Sequence, residues 1–301
     1  MISTSGLTKR YGSTFALRDF TLEVKTGEVF GLLGPNGSGK TTAIRLILGM
    51  LRPSEGSASV DGFDCWRQSV RVRERVSYLP GELRLPGAMT GRKVLKYLGD
   101  LRGGGSLERA EAIADRVMRL DLDRKVRAYS TGMKQKLALA QAFSDPVDIL
   151  ILDEPTSALD PSARGDVLGL VKAAKAAGQT VIFSGHVLSE VEAVSDRVAI
   201  MRKGRLMHVE DMHARRSLRM LLIRYASSEV PVPPDELELT RRDAPGEALL
   251  YEHRGEVGPL LGWLASQPVA DLAIGTEDLQ SLYDTFHGAN AVDLPDEAAT
   301  S

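Results

Sequence analysis

The chain has 301 residues, a formal net charge of -2 and one cysteine. That length exceeds the ~100–200 residues of a typical domain, so one large domain with a smaller appendage is expected. The near-neutral charge gives no global electrostatic reason to expect nucleic acid as a partner, and the lone Cys65 excludes an internal disulfide framework, which fits a reducing compartment.

Met1 to Gly6 lack the charged start, apolar stretch and cleavage site of a secretory signal, so a cytoplasmic protein is expected. No run approaches the ~18 apolar residues that cross a bilayer, so any membrane role is expected to be peripheral.

In Phe20–Lys25 apolar and polar residues alternate, and Lys25-Thr26-Gly27-Glu28 supplies turn chemistry before the apolar run Val29–Leu33. This predicts a hairpin leading into a buried strand. Thr42–Gly49 has helical spacing with a terminating glycine, and Pro53 lies just beyond. The segment from about 85 to 145 reads as a helical insertion, with Ser106 as an N-cap after the Gly103-Gly104-Gly105 break and Ala110, Ile113, Ala114 and Val117 on one face. Alternation then resumes: strand Ile149–Leu152, helix Ser162–Ala177, strand Thr180–Ser184 and helix Leu188–Ser195, which predicts a parallel α/β topology. Val198–Met201 and Arg205–Val209 flank the turn Arg202-Lys203-Gly204 and predict a closing hairpin.

The main domain is therefore placed at 1–213. A small accessory domain is expected at 214–288, with strands Met220–Tyr225 and Leu249–Tyr251, helix Leu260–Ala265 and a last helix Leu279–Phe286 around the turn-rich Val230–Pro234. The acidic stretch 289–301 lacks apolar periodicity and is expected to be disordered.

The strongest chemical signal is Gly34-Pro35-Asn36-Gly37-Ser38-Gly39-Lys40-Thr41-Thr42, which fits G-x-x-x-x-G-K-[ST] between a predicted strand and a predicted helix. Glycines let backbone N–H groups turn inward around phosphate oxygens, and the helix N-terminus adds partial positive charge. Lys40 is then expected on the β- and γ-phosphates of a nucleotide, and the Thr41 hydroxyl on Mg²⁺. The strand Ile149–Leu152 delivers Asp153 and Glu154 to its C-terminal end, where ligands of open α/β sheets bind. Asp153 is expected to hold Mg²⁺ through water. Glu154 is expected to polarise the attacking water, as a carboxylate with no competing ion pair. His186, at the end of the following strand, reaches the same edge of the sheet. There it reads either as a γ-phosphate sensor or as an ordinary satisfied polar group.

Together with Tyr129-Ser130-Thr131-Gly132-Met133, a variant of the signature written L-S-G-G-Q, these motifs resemble the nucleotide-binding subunits of ABC transporters over about Ile2 to Val209. The resemblance implies a P-loop ATPase α/β core with an antiparallel β subdomain and a helical insertion, followed by the small C-terminal α+β domain. It implies ATP and Mg²⁺ as cofactors. It also implies that Ser130, Thr131, Gly132 and Met133 form a second phosphate cradle at a helix N-terminus, serving the nucleotide of an opposite subunit. The partners implied are a second copy or a paralogous ATPase subunit, which sandwiches two ATP, and a separate membrane permease, which places the chain on the inner face of the membrane. Residue by residue, Tyr11 matches the adenine-stacking aromatic, Asp160 in Ser157-Ala158-Leu159-Asp160 matches the loop that crosses the dimer, and His186 matches the switch histidine.

One position departs from the pattern. After Tyr78-Leu79-Pro80, where the family often has glutamine, this chain has Gly81 and then Glu82. Gly81 has no side-chain donor or acceptor, so Glu82 is expected to take over the Mg²⁺ or water contact. The signature variant, the Gly185–Glu192 run and the tail look like the branch that exports drugs, antibiotics and similar compounds. An importer subunit, a soluble ABC ATPase acting on ribosomes, DNA or cluster assembly, and a catalytically dead regulatory subunit, which the presence of Lys40, Asp153, Glu154 and His186 disfavours, are the rivals.

Overall fold

The computed structural model describes residues 1–103, 106–227, 230–242, 248–275 and 283. The chain divides into two compact units, Met1–Glu210 and Asp211–Ser301.

The first unit opens on an antiparallel pair, β1 (Ile2–Tyr11) and β2 (Thr14–Val24). The chain then enters β3 (Val29–Leu33) and, after the glycine-rich loop, α1 (Lys40–Ile47). β4 (Glu55–Val60) and β5 (Phe63–Asp64) complete an outer sheet of order β2-β1-β4-β5. The turn at Lys25–Glu28 is therefore not the expected hairpin. It carries the chain from this sheet to another, because β2 pairs with β1 while β3 pairs in parallel with its own neighbours. The burial patterns give the reason: β2 alternates over Phe20–Val24 and so has one wet face, whereas every residue of β3 is buried, which suits the centre of a parallel sheet. Two side chains fix the crossing, Glu28 accepting from the Lys25 N–H at 2.6 Å and Thr180 accepting from the Gly27 N–H at 2.9 Å.

α2 (Ser69–Arg75) leads directly into β6 (Val76–Leu79). A helical stretch follows, with α3 (Gly91–Leu101), α4 (Leu107–Ala112), a π turn over Ile113–Val117 and α5 (Thr131–Ser144). Ser106 caps α4 as expected, accepting from the Arg109 N–H at 3.2 Å. Ala110, Ile113 and Ala114 are buried on the expected face. Then come β7 (Ile149–Leu152), α6 (Pro161–Ala176), β8 (Thr180–Gly185), α7 (Leu188–Val194), β9 (Arg197–Arg202) and β10 (Arg205–Asp211).

The inner sheet has the order β10-β9-β3-β8-β7-β6. Its β3, β8 and β7 are parallel neighbours in the registers Leu33↔Gly185 and Leu152↔Phe183, so their carboxyl ends lie side by side. One core joins the two sheets through α1: Phe20 and Val24 of β2, Ile44 and Ile47 of α1, and Phe30, Ile151 and Ile182 of the inner sheet are all buried in it. Fully burying side chains of this kind contributes about 1.5–3 kcal/mol each. The phosphate-loop helix is thus held by an apolar cluster that both sheets share.

The second unit begins with α8 (Met212–Ser217) and holds an antiparallel sheet of order β12-β13-β11-β14, formed by β11 (Arg219–Tyr225), β12 (Leu239–Arg242), β13 (Leu249–His253) and β14 (Val269–Gly275). Helix α9 (Val257–Ala265) places Leu260 and Leu264 against Leu221, Ile223 and Tyr251. β12 and β14 carry no strong alternation, which is why only β11, β13 and α9 are anticipated from sequence. The expected last helix, Tyr283 apart, and the stretch 289–301 lie outside the described residues.

Candidate active site

The segments that follow β3, β6 and β7 meet at a cleft of ≈ 480 Å³ lined by Asn36, Gly37, Ser38, Gly39, Lys40, Thr41, Thr42, Gly81, Glu82, Asp153 and Glu154, together with Ala16 and Arg45. The loop that forms its floor needs glycine at Gly39, whose φ of 105° lies where L side chains are strained and where an added Cβ would sit 3.0 Å from the Ala16 carbonyl oxygen. Gly37 also has a positive φ.

Lys40 is 4% exposed and bends back over its own loop, its Nζ donating to the carbonyls of Gly34 at 2.7 Å and Pro35 at 3.1 Å. The same Nζ lies 3.4 Å from Glu154 Oε1. The sequence reading of a carboxylate free of ion pairs is therefore corrected: Glu154 faces the loop lysine. On its other side, Glu154 Oε2 is 3.6 Å from Nδ1 of His186, whose side chain is 45% exposed. A single carboxylate thus sits between the two groups that sequence placed at the γ-phosphate.

Asp153 is fully buried at the end of β7. Its Oδ1 accepts from the Ser184 hydroxyl at 2.7 Å, and the same hydroxyl accepts from the Glu154 N–H at 3.0 Å. Asp153 Oδ2 has no hydrogen-bond partner. A buried carboxylate oxygen without a donor is costly unless something else satisfies it. Oδ2, the Thr41 hydroxyl and Glu82 are oxygen donors of the kind Mg²⁺ takes, so these residues fit the ion. Among the described residues no group of three or more His, Cys, Asp or Glu is placed to hold a metal. Tyr78, half-buried nearby, has its phenol pushed up to about 12 by burial and by the Asp153 charge, so it stays a neutral hydroxyl.

Gly81 lies beside this oxygen: a Cβ there would stand 3.6 Å from Asp153 Oδ2. The departure noted in sequence therefore falls at the carboxylate itself, and Glu82 is in the same cleft.

The signature residues are not among those lining the cleft. Ser130 caps α5, accepting from the Met133 N–H at 3.2 Å, with Thr131, Gly132 and Met133 in the first turn. Ser130 and Thr131 are exposed. Two contacts tie this helix to the segment after β7. Gln135, 3% exposed, donates to the Pro155 carbonyl at 3.0 Å, and a Cβ on Gly132 would fall 2.8 Å from the Ala158 carbonyl oxygen. Asp160 is not in the cleft either. Its carboxylate caps α6, accepting from the Ala163 N–H at 2.9 Å, and that bond holds its pKa below the ordinary carboxylate value. Tyr11 ends β1 with its ring 55% exposed and the Lys9 ammonium 5.0 Å from its centroid, outside the residues that line the cleft.

Ser184, Gln135 and the pair of buried residues Thr156 and Glu190, joined at 2.5 Å and reached by the half-exposed Arg164 at 3.1 Å, were missed by sequence reasoning. A signal existed for Ser184, since a serine closing an otherwise apolar buried strand needs a partner. Gln135 and Glu190 sit in helices where nothing local marks them as buried.

A glycine-rich loop between a buried parallel strand and a helix, facing carboxylates on a neighbouring strand, defines a nucleotide-triphosphate hydrolase of the P-loop class. Residues 17–157 match the family model described as ABC transporter. The chain is 38% identical over 198 residues to the ABC transporter ATP-binding protein NatA of Bacillus subtilis (strain 168), covering 64% of this chain and 80% of that protein. It is 37% identical over 209 residues to the daunorubicin/doxorubicin resistance ATP-binding protein DrrA of Streptomyces peucetius, covering 68% of this chain and 63% of that one. Among solved structures it shares the fold of a dimeric ATP-binding cassette in a post-hydrolysis state with ADP and phosphate, with TM-score 0.63, 23% identity, and 70% of this chain and 99% of that chain covered. The chain belongs to the ABC transporter ATP-binding proteins, and it is an ATP-binding ATP hydrolase.

Proposed function

We propose that this chain is the ATPase subunit of an exporter for a drug, antibiotic or similar compound, working as a nucleotide-sandwich dimer beneath a separate membrane permease. The observation that carries the reading is the gathering of Lys40, Asp153 and Glu154 in one cleft with His186 against Glu154, while the signature residues Ser130–Met133, read as a second phosphate cradle, start a helix and are not among those lining that cleft. A cradle that does not border the chain's own cleft is explained by a nucleotide held by a second copy or a paralogous subunit.

In the closed dimer the inward N–H groups of Gly34–Thr42 wrap the phosphates, Lys40 leaves its loop carbonyls for the β- and γ-phosphates, and Tyr11 stacks on the adenine. Asp153, Thr41 and Glu82 would hold Mg²⁺, which when bound would neutralise charge building on the phosphoryl oxygens. Glu154 orients the attacking water and His186 holds the γ-phosphate. Asp160 and its neighbours lie at the dimer seam. Transition-state charge is met by the loop N–H groups, which the fold already turns inward, and by Lys40 once it has moved onto the phosphates. Hydrolysis loosens the seam and resets the permease.

Among the described residues no helix is long and apolar enough to cross a membrane. The kinship with ABC transporter ATP-binding proteins is what supports assigning the membrane part to another polypeptide and this chain to its inner face. A second cleft, of ≈ 720 Å³, is lined by Val70, Arg73, Leu101, Arg102 and Val147, and supplies a docking groove. Val70 and Leu101 are 62% and 67% exposed there, a hydrophobic pair left open to solvent. The relative named for daunorubicin/doxorubicin resistance supports export.

The test is a pull-down of tagged Glu154→Gln protein from detergent-solubilised membranes with Mg·ATP. Capture of a multi-span membrane protein, lost in Leu101→Glu, is the expected result. Ribosomes, nucleoprotein or no partner would move the assignment to a soluble ABC ATPase, and a permease with an external binding protein would move it to an importer.

A further inference from the structure

The Ser184 side chain is fully buried at the carboxyl end of β8 and touches both residues of the carboxylate pair. A hydroxyl has one proton to give. The Glu154 N–H can only donate, so the Ser184 oxygen accepts from it at 3.0 Å, and the hydroxyl proton is left to Asp153 Oδ1 at 2.7 Å. The direction of the network is thereby fixed.

Two consequences follow. With Oδ1 engaged, the carboxylate cannot rotate freely about its bond to Cβ, and Oδ2 is presented without a protein donor beside the side-chain-free Gly81. The second concerns Glu154, whose backbone has φ 49°, in the left-handed region. Non-glycine residues there cost of order 1–3 kcal/mol and persist where the surroundings hold them. The N–H to Ser184 bond is such a hold, and it ties the direction of the Glu154 side chain to the neighbouring strand.

We infer that Ser184 is the positioning residue of the ATPase site, one hydroxyl that turns Asp153 toward the cation and fixes the backbone from which Glu154 addresses water. This rests on the ATPase reading of the cleft. Ser184 itself touches no reacting atom.

The experiment compares the wild-type chain with Ser184→Ala and Ser184→Thr. Mn²⁺ binding is titrated by electron paramagnetic resonance with a non-hydrolysable ATP analogue, alongside kcat, KM for ATP and analogue affinity without metal. Ser184→Ala is expected to bind Mn²⁺ roughly 10- to 100-fold more weakly, to lose kcat by at least ~10-fold, and to keep its metal-free analogue affinity; Ser184→Thr, which keeps the hydroxyl, restores both losses. Wild-type Mn²⁺ affinity and kcat in Ser184→Ala would overturn the positioning role alone. Failure of the wild-type chain to bind Mn²⁺ with the analogue or to hydrolyse ATP would instead overturn the site reading beneath it. Should Ser184→Ala not fold, Ser184→Cys, of similar volume with a weak donor, carries the same expected losses and the same refutation.

Discussion

Replacing Gln135 by leucine tests whether the signature helix and the catalytic turn are one mechanical piece. The Gln135 amide is 3% exposed and donates to the carbonyl of Pro155, the residue after Glu154. Leucine has similar volume but no donor, so the change leaves a buried carbonyl unpaired at a cost of about 1–3 kcal/mol. The added apolar contact offsets part of that, so a net loss of about 1–2 kcal/mol is expected. For a unit of this size, ~2–4 °C per kcal/mol gives a lower thermal midpoint by roughly 2–8 °C. Lys40 and its loop make no bond to Gln135, so ATP affinity should stay within about 3-fold. Glu154, however, loses the anchor of its neighbour, and a misplacement near 1 Å costs of order 10²-fold in rate. A fall in kcat of roughly 10- to 100-fold is therefore expected. Differential scanning calorimetry, a fluorescent-nucleotide titration and phosphate release at saturating ATP read the three quantities. Unchanged kcat in a protein destabilised as stated would refute the coupling, leaving the bond a purely structural one.

Tyr11→Ala should weaken nucleotide binding by about 1–3 kcal/mol, the worth of one aromatic–base stack, roughly 5- to 150-fold in Kd, with no change in thermal midpoint because the ring is 55% exposed; equal affinity for ATP and inorganic triphosphate in the wild type would count against stacking. In the second unit, burial first and the Arg219 charge next lower the pKa of His253 below 6.5, with Glu238 acting the other way. A neutral histidine is then preferred in the fold, so its contribution is complete above pH 6.5 and is lost as pH falls through the folded value. Unfolding followed by Trp263 fluorescence in a Trp66→Phe background should show a midpoint lower at pH 5.5 than at pH 7.5, and His253→Phe should flatten that difference; Glu252, held low by Arg242 and Arg254, loses its own contribution only below about 4.5.

The parts of the site legible in sequence are those whose chemistry is local. Within the G-x-x-x-x-G-K-T loop the Lys40 ammonium bonds back to the Gly34 and Pro35 carbonyls and the Ser38 N–H to Pro35, all inside nine residues, and Asp153 and Glu154 follow a strand whose four apolar residues name it as buried. Caps are local too, and Ser106 and Ser130 hold the helix starts that their sequence positions suggest. The turn at Lys25–Glu28 misleads because turn chemistry states only that the chain reverses or bends, while pairing depends on which sheet each strand joins.

Adjacency is what no local pattern carries. Lys40, Glu154 and His186 come from the ends of β3, β7 and β8, and they meet because β8, the last of the three in the chain, lies between the other two. Parallel strands cannot be joined by tight turns, so the helical stretch and α6 are the connections that let strand order depart from chain order. That same crossing puts Ser184 beside the carboxylate of Asp153 and the backbone N–H of Glu154, 31 and 30 positions away. It also brings Gly81, at the end of β6, to the one oxygen of Asp153 that the protein leaves unpaired. A glutamine side chain at position 81 would stand against that oxygen. With glycine there the space stays open, and Glu82, one residue on in the same cleft, supplies a charged oxygen in place of a neutral amide. An added negative charge strengthens the pull on a divalent cation and repels the γ-phosphate unless that cation lies between them. With Asp153, Glu154 and Glu82 facing the phosphates as proposed, Gly81→Gln with Glu82→Ala is expected to bind ATP with a shallower dependence on divalent cation than the wild-type chain, and equal dependence in a nucleotide titration with and without Mg²⁺ would refute the role of Glu82.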